Sequence, residues 1–397
     1  MPDRVKKSVR DLSGLGGTRV FVRVDYNVPL EGASITDDTR IRASLPTLEA
    51  LRKAGARLVL ASHLGRPKKG PDPAFSLKPA AARLSELLGV PVAMAPDCVG
   101  PEVAALAGKL GDGDVLLLEN VRFHPEEEKN DAAFAARLVQ DSGATIFVND
   151  AFGSAHRAHA STEGVSHHVA TSVAGLLMEK ELRYLGMALE APERPFVAVL
   201  GGAKVSDKIE VIESLLPRVD ALLVGGGMAY TFFRAQGLDT QKSLVEADKI
   251  DLARGLLERA AGKLRLPVDH VVAAAFKEDA ERQTLPVAET PAGWMGLDIG
   301  PQTARAFADE AGRAKLVLWN GPMGVFEMAP FAEGTLAMAR ALADSPGTSI
   351  VGGGDSVAAV TQMGLADKID HVSTGGGASL EFLSGEPLPG VACLREA

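Results

Sequence analysis

The sequence predicts an α/β fold with two parallel β-sheets, each flanked by helices, and three observations support this prediction. Short apolar runs rich in Val, Leu and Ile alternate with longer segments of helical period. The runs contain few polar residues, as expected for strands that helices cover on both faces. The pattern repeats through both halves of a 397-residue chain, a length that suits two or three domains.

In the first half, the apolar runs end in Arg, His, Asp or Asn. These runs are residues 20–29, 58–67, 115–123 and 146–161. Helices are predicted at residues 39–55, 76–89 and 131–143. The last two segments end in Gly89 and Gly143, which we expect to be C-terminal caps because glycine readily adopts the left-handed conformation.

In the second half, the apolar runs end in glycine clusters. These runs are residues 197–208, 222–230, 316–327 and 350–357. Ligands bind beyond the carboxyl ends of the strands in open α/β sheets. The first half is therefore expected to hold a small anion with side chains, and the second to seat a ligand on bare backbone. Two such lobes indicate transfer of a group between two ligands.

A helix between the two halves is predicted to connect the lobes. One face of it carries apolar residues at helical spacing, namely Met178, Leu182, Leu185 and Leu189. Pro192 and Pro195 end the helix, because proline cannot continue it. An ordinary surface helix within one domain would show the same periodicity. We expect an N-terminal lobe at 1–174, the connecting helix at 175–191 and a C-terminal lobe at 192–379.

The composition argues against several classes of protein. A formal net charge of −9 disfavours general nucleic-acid binding, which requires a basic surface. No apolar stretch approaches the ~20 residues of a membrane span, and residues 1–12 lack the apolar core of a secretion signal. The two cysteines, Cys98 and Cys393, show neither disulfide-framework nor metal-site spacing. We therefore expect a protein of the reducing cytoplasm.

Basic and polar side chains recur at four successive strand ends of the first half. They are Arg23, Asp25, Asn27, Arg40, His63, Arg66, Arg122, His156 and Arg157. Neighbouring guanidinium groups repel each other by ~4 kcal/mol at about 4 Å and an effective dielectric constant near 20. Arginine is the preferred bidentate partner of phosphate and carboxylate, so a phosphorylated small acid would satisfy the cluster. Alternatively, each arginine pairs with a nearby carboxylate, the histidines are structural, and Asp25 and Asn27 cap a turn.

Two lysines lie at a predicted helix start in the second half. The helix is expected to begin near Ser206 or Asp207, and Asp207 and Glu210 have the spacing of a capping box. Lys204 and Lys208 are then disfavoured by ~0.3–1 kcal/mol each, because a helix N-terminus is positive. A phosphate group between them would explain their position, although both could simply point into water. The segment lacks the Walker A pattern.

The glycine run at 352–354 repeats this design. Its backbone amides at a helix N-terminus would favour an anion. Asp355 is then either the helix N-cap or a carboxylate for a nucleotide-bound Mg²⁺. Further bare backbone is expected at 225–230 and 374–379, where glycine could also serve close packing. Glu327 could accept hydrogen bonds from ribose hydroxyls.

Taken together, the motifs resemble phosphoglycerate kinase over nearly the whole chain. The matching segments are RVDYNVP, SHLGRP, LENVRFHPEEEKND, NDAFGSAHRAHAS, GGAKVSDKI, GGGMAYTF, WNGPMGVFE, GGGDS and STGGGASLE. The resemblance implies two Rossmann-like lobes joined by a helix, with the C-terminal tail at 380–397 packing on the N-terminal lobe. It implies a cytoplasmic, monomeric enzyme of glycolysis and gluconeogenesis. Such an enzyme transfers phosphate reversibly between 1,3-bisphosphoglycerate and MgADP, giving 3-phosphoglycerate and MgATP.

The resemblance also implies the site residues. For the phosphoglycerate these are Asp25, Tyr26, Asn27, Arg40, His63, Leu64, Gly65, Arg66, Arg122 and Arg157. For the nucleotide they are Lys204, Lys208, Gly225, Gly226, Gly296, Asn320, Glu327, Gly352, Gly353, Gly354, Asp355 and Ser356, with Asp355 holding Mg²⁺. Three positions depart from the family pattern: Tyr26 replaces the usual Phe, Glu126 a common Gly, and Ser356 a frequent Thr.

The expected chemistry needs no general base. A carboxylate that attacks a phosphoryl group is already ionised at pH 7, since its reference pKa is near 4. We expect catalysis by positioning and charge stabilisation, with Arg40 and Lys204 on the transferring phosphoryl group and the amides of Gly354 and Gly377 assisting. Closure of the two lobes would bring the ligands together and expel water.

Two other functions fit parts of the sequence. A two-lobed anion-binding protein would not need the lysine pair or a magnesium ligand, and would usually carry an export signal. A dinucleotide-dependent oxidoreductase would need GxGxxG in its first strand–helix turn, where this chain has RVDYNVPLEG.

Overall fold

The computed structural model describes residues 6–32, 34–68 and 70–397. This part of the chain forms two compact units. The N-terminal unit comprises the described residues up to Arg183 together with Pro387–Ala397, and the C-terminal unit comprises Tyr184–Glu386. Among the described helices, none has the length and apolar character needed to cross a membrane.

The N-terminal unit contains a six-stranded parallel sheet in the order β5-β6-β4-β1-β7-β8. Its strands are β1 (Arg19–Arg23), β4 (Arg57–Ala61), β5 (Val92–Met94), β6 (Val115–Leu117), β7 (Ile146–Asn149) and β8 (Thr171–Ala174), and a small hairpin adds β2 (Leu30–Glu31) and β3 (Ser34–Ile35). The four predicted runs become β6, β4, β1 and β7. They are parallel neighbours, so their polar ends share one edge of the sheet.

The three helices predicted in the first half are present as α1 (Thr39–Lys53), α2 (Lys78–Leu88) and α4 (Ala132–Ser142). A further helix, α3 (Pro101–Gly108), was not predicted. Gly89 and Gly143 follow α2 and α4 with φ of 66° and 62°, so the predicted glycine caps are confirmed.

The C-terminal unit contains a second six-stranded sheet in the order β11-β10-β9-β15-β16-β17, and all its neighbouring pairs are parallel. Its strands are β9 (Phe196–Leu200), β10 (Ala221–Val224), β11 (Leu264–Arg265), β15 (Leu316–Asn320), β16 (Thr348–Gly352) and β17 (His371–Val372). A separate antiparallel sheet, not predicted from the sequence, consists of β12 (Asp269–Ala273), β13 (Arg282–Pro286) and β14 (Met295–Ile299).

Four helices of the C-terminal unit follow strand ends that carry glycine clusters, namely α6 (Ile209–Leu215), α7 (Ala229–Ala235), α11 (Gly354–Gln362) and α12 (Gly377–Ser384). The unit also contains α8 (Ile250–Ala260), α9 (Pro301–Gly312) and α10 (Glu333–Ala343). The fold class is thus the predicted one, with two parallel sheets flanked by helices.

The predicted connecting helix is α5 (Leu176–Leu189), and the division between the two units falls within it. Its four predicted apolar residues are all buried. The chain returns to the N-terminal unit in α13 (Pro389–Ala392). There Asn149 Nδ2 donates to Gly390 O at 2.8 Å, and Arg395 N donates to Ser172 O at 2.9 Å.

Candidate active site

Arg23, at the end of β1, is buried beneath the sheet edge and does not face solvent. Its Nε donates to Ser161 Oγ at 2.8 Å, and its Nη2 lies 3.1 Å from His63 Nδ1. Burial lowers the pKa of Arg23. Arg23 therefore supports His63 from behind, in contrast to the expectation that it faces an open crevice.

A buried carboxylate completes this support. Ser161 Oγ donates to Glu127 Oε1 at 2.6 Å, and Ser161 N donates to Glu127 Oε2 at 2.9 Å. Burial raises the pKa of Glu127, which the charge of Arg23 opposes. Ser161 thus bridges a buried cation and a buried anion. Sequence reasoning missed this bridge, because Glu127 is one of three consecutive glutamates and nothing in the pattern distinguishes it.

Several cations lie close to His63, which Arg23 contacts from behind. Burial lowers the pKa of His63 well below its usual value, and the charges of Arg23, Arg122 and Arg40 lower it further. The His63 imidazole is therefore neutral. Burial also lowers the pKa of Arg122, with Arg157 among the charges that add to the effect. The predicted convergence of strand-end cations is present in the N-terminal unit.

Two of these arginines have local carboxylate partners. Arg40 Nη1 lies 3.3 Å from Asp25 Oδ1 and donates to Asn27 O at 3.0 Å. Arg122 Nε lies 3.3 Å from Glu128 Oε1, and Arg122 Nη1 donates to the carbonyl of Gly65 at 2.9 Å. Arg40 and Arg122 thus each have a local carboxylate partner, as the alternative interpretation expects.

The other two arginines differ. Within the described residues, neither Arg66 nor Arg157 has a carboxylate at ion-pair distance. Arg66 is exposed, and Arg157 Nε donates to His156 Nε2 at 3.1 Å. No carboxylate of the described residues therefore neutralises these two cations directly.

Asn27 and Gly65 fix the loops that carry the cluster. Asn27 Oδ1 accepts from Gly65 N at 2.8 Å, and Asp25 Oδ1 accepts from Asn27 N at 3.2 Å, so Asp25 does cap a turn. Gly65 has φ of 62°, and a Cβ there would lie 2.3 Å from the ring of Phe75. Glycine is required at this position by both conformation and space.

Tyr26 and Leu64 point into the core. Both side chains are buried, and Tyr26 Oη lies 2.9 Å from Ser44 Oγ. Burial raises the pKa of Tyr26. The carbonyl of Leu64 accepts from Asn120 Nδ2 at 2.7 Å. Any contact of either residue with a ligand would therefore use its backbone. The hydroxyl group that Tyr26 carries in place of the usual Phe is accommodated inside the protein, beside Ser44.

The C-terminal unit holds a cavity of about 670 Å³ beside the glycine clusters. One wall is backbone at Gly202, Ala203, Gly226 and Gly227. An apolar wall is formed by Tyr230, Phe233, Leu244, Phe276, Leu297 and Met323. Glu327 and Asp355 also line the cavity. Sequence reasoning found the glycines and the two carboxylates, but it missed most of the apolar wall.

Lys208 is buried at the N-cap of α6, with Lys204 exposed nearby. Its Nζ donates to Asn320 Oδ1, and burial lowers the pKa of Lys208 to about 8. Asn320 Nδ2 is buried with no hydrogen-bond partner among the described residues. The Asn320 side-chain oxygen thus orients Lys208, whereas its Nδ2 remains an unused hydrogen-bond donor in the described part of the chain.

The predicted capping box at α6 was wrong. The helix begins at Ile209 and has no side-chain cap. Ser206 instead bonds to Glu246, with Oγ at 2.5 Å and N at 3.0 Å from its carboxylate oxygens. Ser206, one of the two expected N-caps, thus bonds to a carboxylate 40 residues away along the chain and does not cap the helix.

Asp355 does not cap α11. Gly353, with φ of 87°, is the N-cap, and Asp355 is the second residue of the helix with an exposed side chain. Ser356 is buried, and its Oγ accepts from Gly321 N at 2.6 Å. The Ser356 hydroxyl oxygen therefore accepts a hydrogen bond within the protein.

The remaining predicted glycines have different surroundings. A Cβ at Gly225, Gly226 or Gly296 would lie within 2.6 Å of a neighbour, and at Gly296 it would overlap Tyr230 Oη. Gly354 and Gly377 begin α11 and α12, and a Cβ at either would meet nothing within 4 Å. Packing requires the first three glycines but not the last two.

Comparison with known proteins identifies the family. The family model described as phosphoglycerate kinase matches residues 9–386. The chain belongs to the phosphoglycerate kinase family. A cytosolic phosphoglycerate kinase of Triticum aestivum is 60% identical, covering 99% of each chain. The phosphoglycerate kinase of Solibacter usitatus is 61% identical, covering 98% of each chain. The structure of the Coxiella burnetii phosphoglycerate kinase matches with a TM-score of 0.88 and 42% identity, covering 98% of each chain. The chain is thus a kinase, and neither rival function applies.

Proposed function

We propose that the chain catalyses reversible phosphoryl transfer between 1,3-bisphosphoglycerate and MgADP, giving 3-phosphoglycerate and MgATP. The observation that carries this proposal is the cation cluster of the N-terminal unit, in which Arg66 and Arg157 lack local carboxylates. A phospho-acid carries enough negative charge to neutralise them. The glycine-walled cavity of the other unit suits the second ligand, a nucleotide.

The phosphoglycerate is assigned to the cluster. Arg66, Arg122 and Arg157 would bind its phosphate, since burial and the charges of Arg157 and Arg66 lower the pKa of Arg122 and an anion would offset this. His63 would bind as a neutral donor or acceptor, because its pKa is far below 7. Asp25 and Asn27 would accept from the acid's hydroxyl group, in addition to the bonds they already make.

The nucleotide is assigned to the cavity. Its apolar wall suits the base, and Glu327 would accept from the ribose hydroxyls. Lys208 would bind a phosphate, with the backbone of residues 353–356 beside it. Asp355 fits a magnesium ligand, because its exposed carboxylate lines the cavity, is not used as a helix cap and has no cation at ion-pair distance among the described residues. Magnesium bound there would neutralise charge on the nucleotide phosphates.

Arg40 and Lys204 are assigned to the transferring phosphoryl group. Arg40 binds Asp25 and Asn27 through Nη1 alone, so its Nη2 and Nε could donate to phosphoryl oxygens. Lys204 is exposed and projects from a loop. The amides of Gly354 and Gly377 would assist, since packing does not explain why those positions lack a side chain. Closure of the hinge within α5 would bring the two ligands together.

The partners follow from this assignment. They are small molecules, 3-phosphoglycerate or 1,3-bisphosphoglycerate with ATP or ADP, bound by a monomer. A cytoplasmic location is supported by the cytosolic relative from Triticum aestivum and by two cysteines that remain free.

The test is phosphorylation of 3-phosphoglycerate by MgATP, followed by a coupled assay of the acyl phosphate. We expect turnover that requires magnesium and is lost with unphosphorylated glycerate as acceptor. Arg42→Ala is the matched control for Arg40→Ala, because Arg42 lies on the same helix but pairs with Asp38 at 2.8 Å on the surface. A folded protein without activity would refute the proposal.

A further inference from the structure

Three residues of different ligand types meet in the N-terminal unit. Asp97 Oδ1 lies 2.7 Å from His124 Nε2. One ligand atom each of Asp97, Cys98 and His124 lies within 4.8 Å of the others. Asp97 and Cys98 follow β5, whereas His124 lies about 25 residues further along the chain. The spacing in the sequence therefore gave no sign of the cluster.

The protein already holds these groups in place. Cys98 N donates to Asp97 Oδ1 at 2.6 Å, and the carbonyl of Asp97 accepts from Glu119 N at 3.3 Å. The His124 ring stacks on Phe134 with centroids 5.1 Å apart. A ligand set fixed before the ion arrives needs little ordering when the ion binds.

The order of the three groups argues against a nucleophilic role for the thiol. In a Cys–His–acid triad the imidazole lies between the thiol and the carboxylate, so that it can take the thiol proton. Here the carboxylate of Asp97 is the shared partner, because it faces both the Cys98 thiol and the His124 ring. This order leaves the thiol without an adjacent general base, so the cluster is not arranged for nucleophilic chemistry.

We propose that Asp97, Cys98 and His124 form a binding site for Zn²⁺ or a chemically similar soft divalent cation, with water as the fourth ligand. Thiolate and imidazole select zinc over magnesium, which prefers oxygen ligands. Binding forms one bond each from the ion to Sγ, Nε2 and a carboxylate oxygen. The Cys98 thiol releases its proton, and the imidazole proton that Nε2 donates to Asp97 moves to Nδ1, which breaks the hydrogen bond between Asp97 and His124.

The required movement is small. Zinc bonds of about 2.0–2.3 Å in tetrahedral geometry place the ligand atoms roughly 3.4–3.6 Å apart. The Asp97–His124 pair must open from 2.7 Å to about that distance. Side chains of Asp97 and His124 are 46% and 26% exposed, so they can move and the ion can reach the thiol between them.

The test is equilibrium dialysis of the reduced, nucleotide-free full chain against Zn²⁺, with metal analysis. We expect one tightly bound equivalent, and at least about 100-fold weaker binding in Cys98→Ser and in His124→Gln. Two variants serve as matched controls. Cys393→Ser removes the other cysteine, and His167→Gln removes an exposed histidine that pairs with Glu163 at 2.5 Å outside the Asp97–Cys98–His124 cluster. Both controls should bind like the parent chain.

Cobalt gives a second measurement. Co²⁺ bound at this site should show a thiolate-to-metal absorption band that Cys98→Ser abolishes and Cys393→Ser retains. If Cys98→Ser fails to fold, as judged by circular dichroism, Asp97→Asn and His124→Gln carry the test because both positions are partly exposed. Zinc affinity unchanged in those variants, or lost equally in His167→Gln, would overturn the proposal.

Discussion

Replacing Lys208 by Met should remove one source of pH dependence in the stability of the C-terminal unit, namely the proton that Lys208 loses near pH 8 in the folded parent chain. Burial lowers the pKa of Lys208 from 10.5 to about 8. One pKa unit corresponds to about 1.4 kcal/mol, so holding the charged lysine destabilises the fold by about 3 kcal/mol at pH 7. The replacement removes this cost but leaves Asn320 Oδ1 without its donor, which costs about 1–3 kcal/mol. We therefore expect Lys208→Met to leave stability at pH 7 unchanged or raised by up to about 2 kcal/mol.

The pH dependence gives the sharper measurement. Between about pH 8 and 10.5 the unfolded chain holds a proton that the folded chain has lost, so parent stability rises with pH in this window. Relative to Lys208→Met, the parent should gain about 2 kcal/mol between pH 7 and 9.5. Both tryptophans, Trp294 and Trp319, lie in the C-terminal unit, so fluorescence during urea unfolding reports that unit. Lys204→Met, at an exposed position, should behave like the parent. A difference between parent and Lys208→Met that stays constant from pH 7 to 9.5 would refute the reasoning.

Other substitutions test the assignment of roles. Arg40→Ala and Lys204→Ala should lower turnover at least about 100-fold with little change in nucleotide affinity, and near-normal turnover in either would contradict their role. Arg122→Ala should mainly raise the KM for 3-phosphoglycerate, by about 10- to 100-fold; an unchanged KM with reduced turnover would count against it. Gly377→Ala should keep the parent melting temperature, since its Cβ meets open space, yet lower turnover, because the Cβ would crowd a phosphoryl group bound close to the amide; full activity would contradict such close approach. The free energy of unfolding of Asp150→Asn should rise relative to that of the parent between about pH 4 and 7, because burial raises the Asp150 pKa to about 7 and only the folded parent holds that proton. Urea unfolding followed by circular dichroism should show a relative gain of up to about 1.4 kcal/mol per pH unit. The same pH dependence in both proteins would contradict this prediction.

The strand ends were predictable because two simple constraints act there. A parallel strand buried on both faces reads as an apolar run, and its carboxyl end must lie at the common edge of the sheet. Arg122 and His63 could therefore be placed near each other without knowing the order of the strands. Helix ends with glycine, such as Gly89 and Gly143, were equally readable, because the left-handed conformation leaves few alternatives.

Contacts across long sequence separations were not predictable. Glu127 reaches Ser161 across 34 residues, and Glu246 takes Ser206 from its predicted local cap across 40. The apolar wall of the cavity likewise draws Tyr230 and Phe276 from different segments. In each case the residue type is common and its local pattern ordinary. Only the tertiary fold decides which of several equivalent carboxylates or aromatic rings lies at the site.

Both units contain basic residues whose charged forms are destabilised by burial or by neighbouring cations. A bound phosphate group would offset this destabilisation. In one unit, burial and then the neighbouring cations lower the pKa of His63 and of Arg122. In the other, burial brings Lys208 close to losing its proton. An anion that binds either site restores the favourable charged state, so part of its affinity comes from relief of this repulsion and desolvation. Added salt should weaken the binding of phosphate groups at these sites, because it screens the charges of the exposed residues. Lys208, being buried, should depend on pH more than on salt.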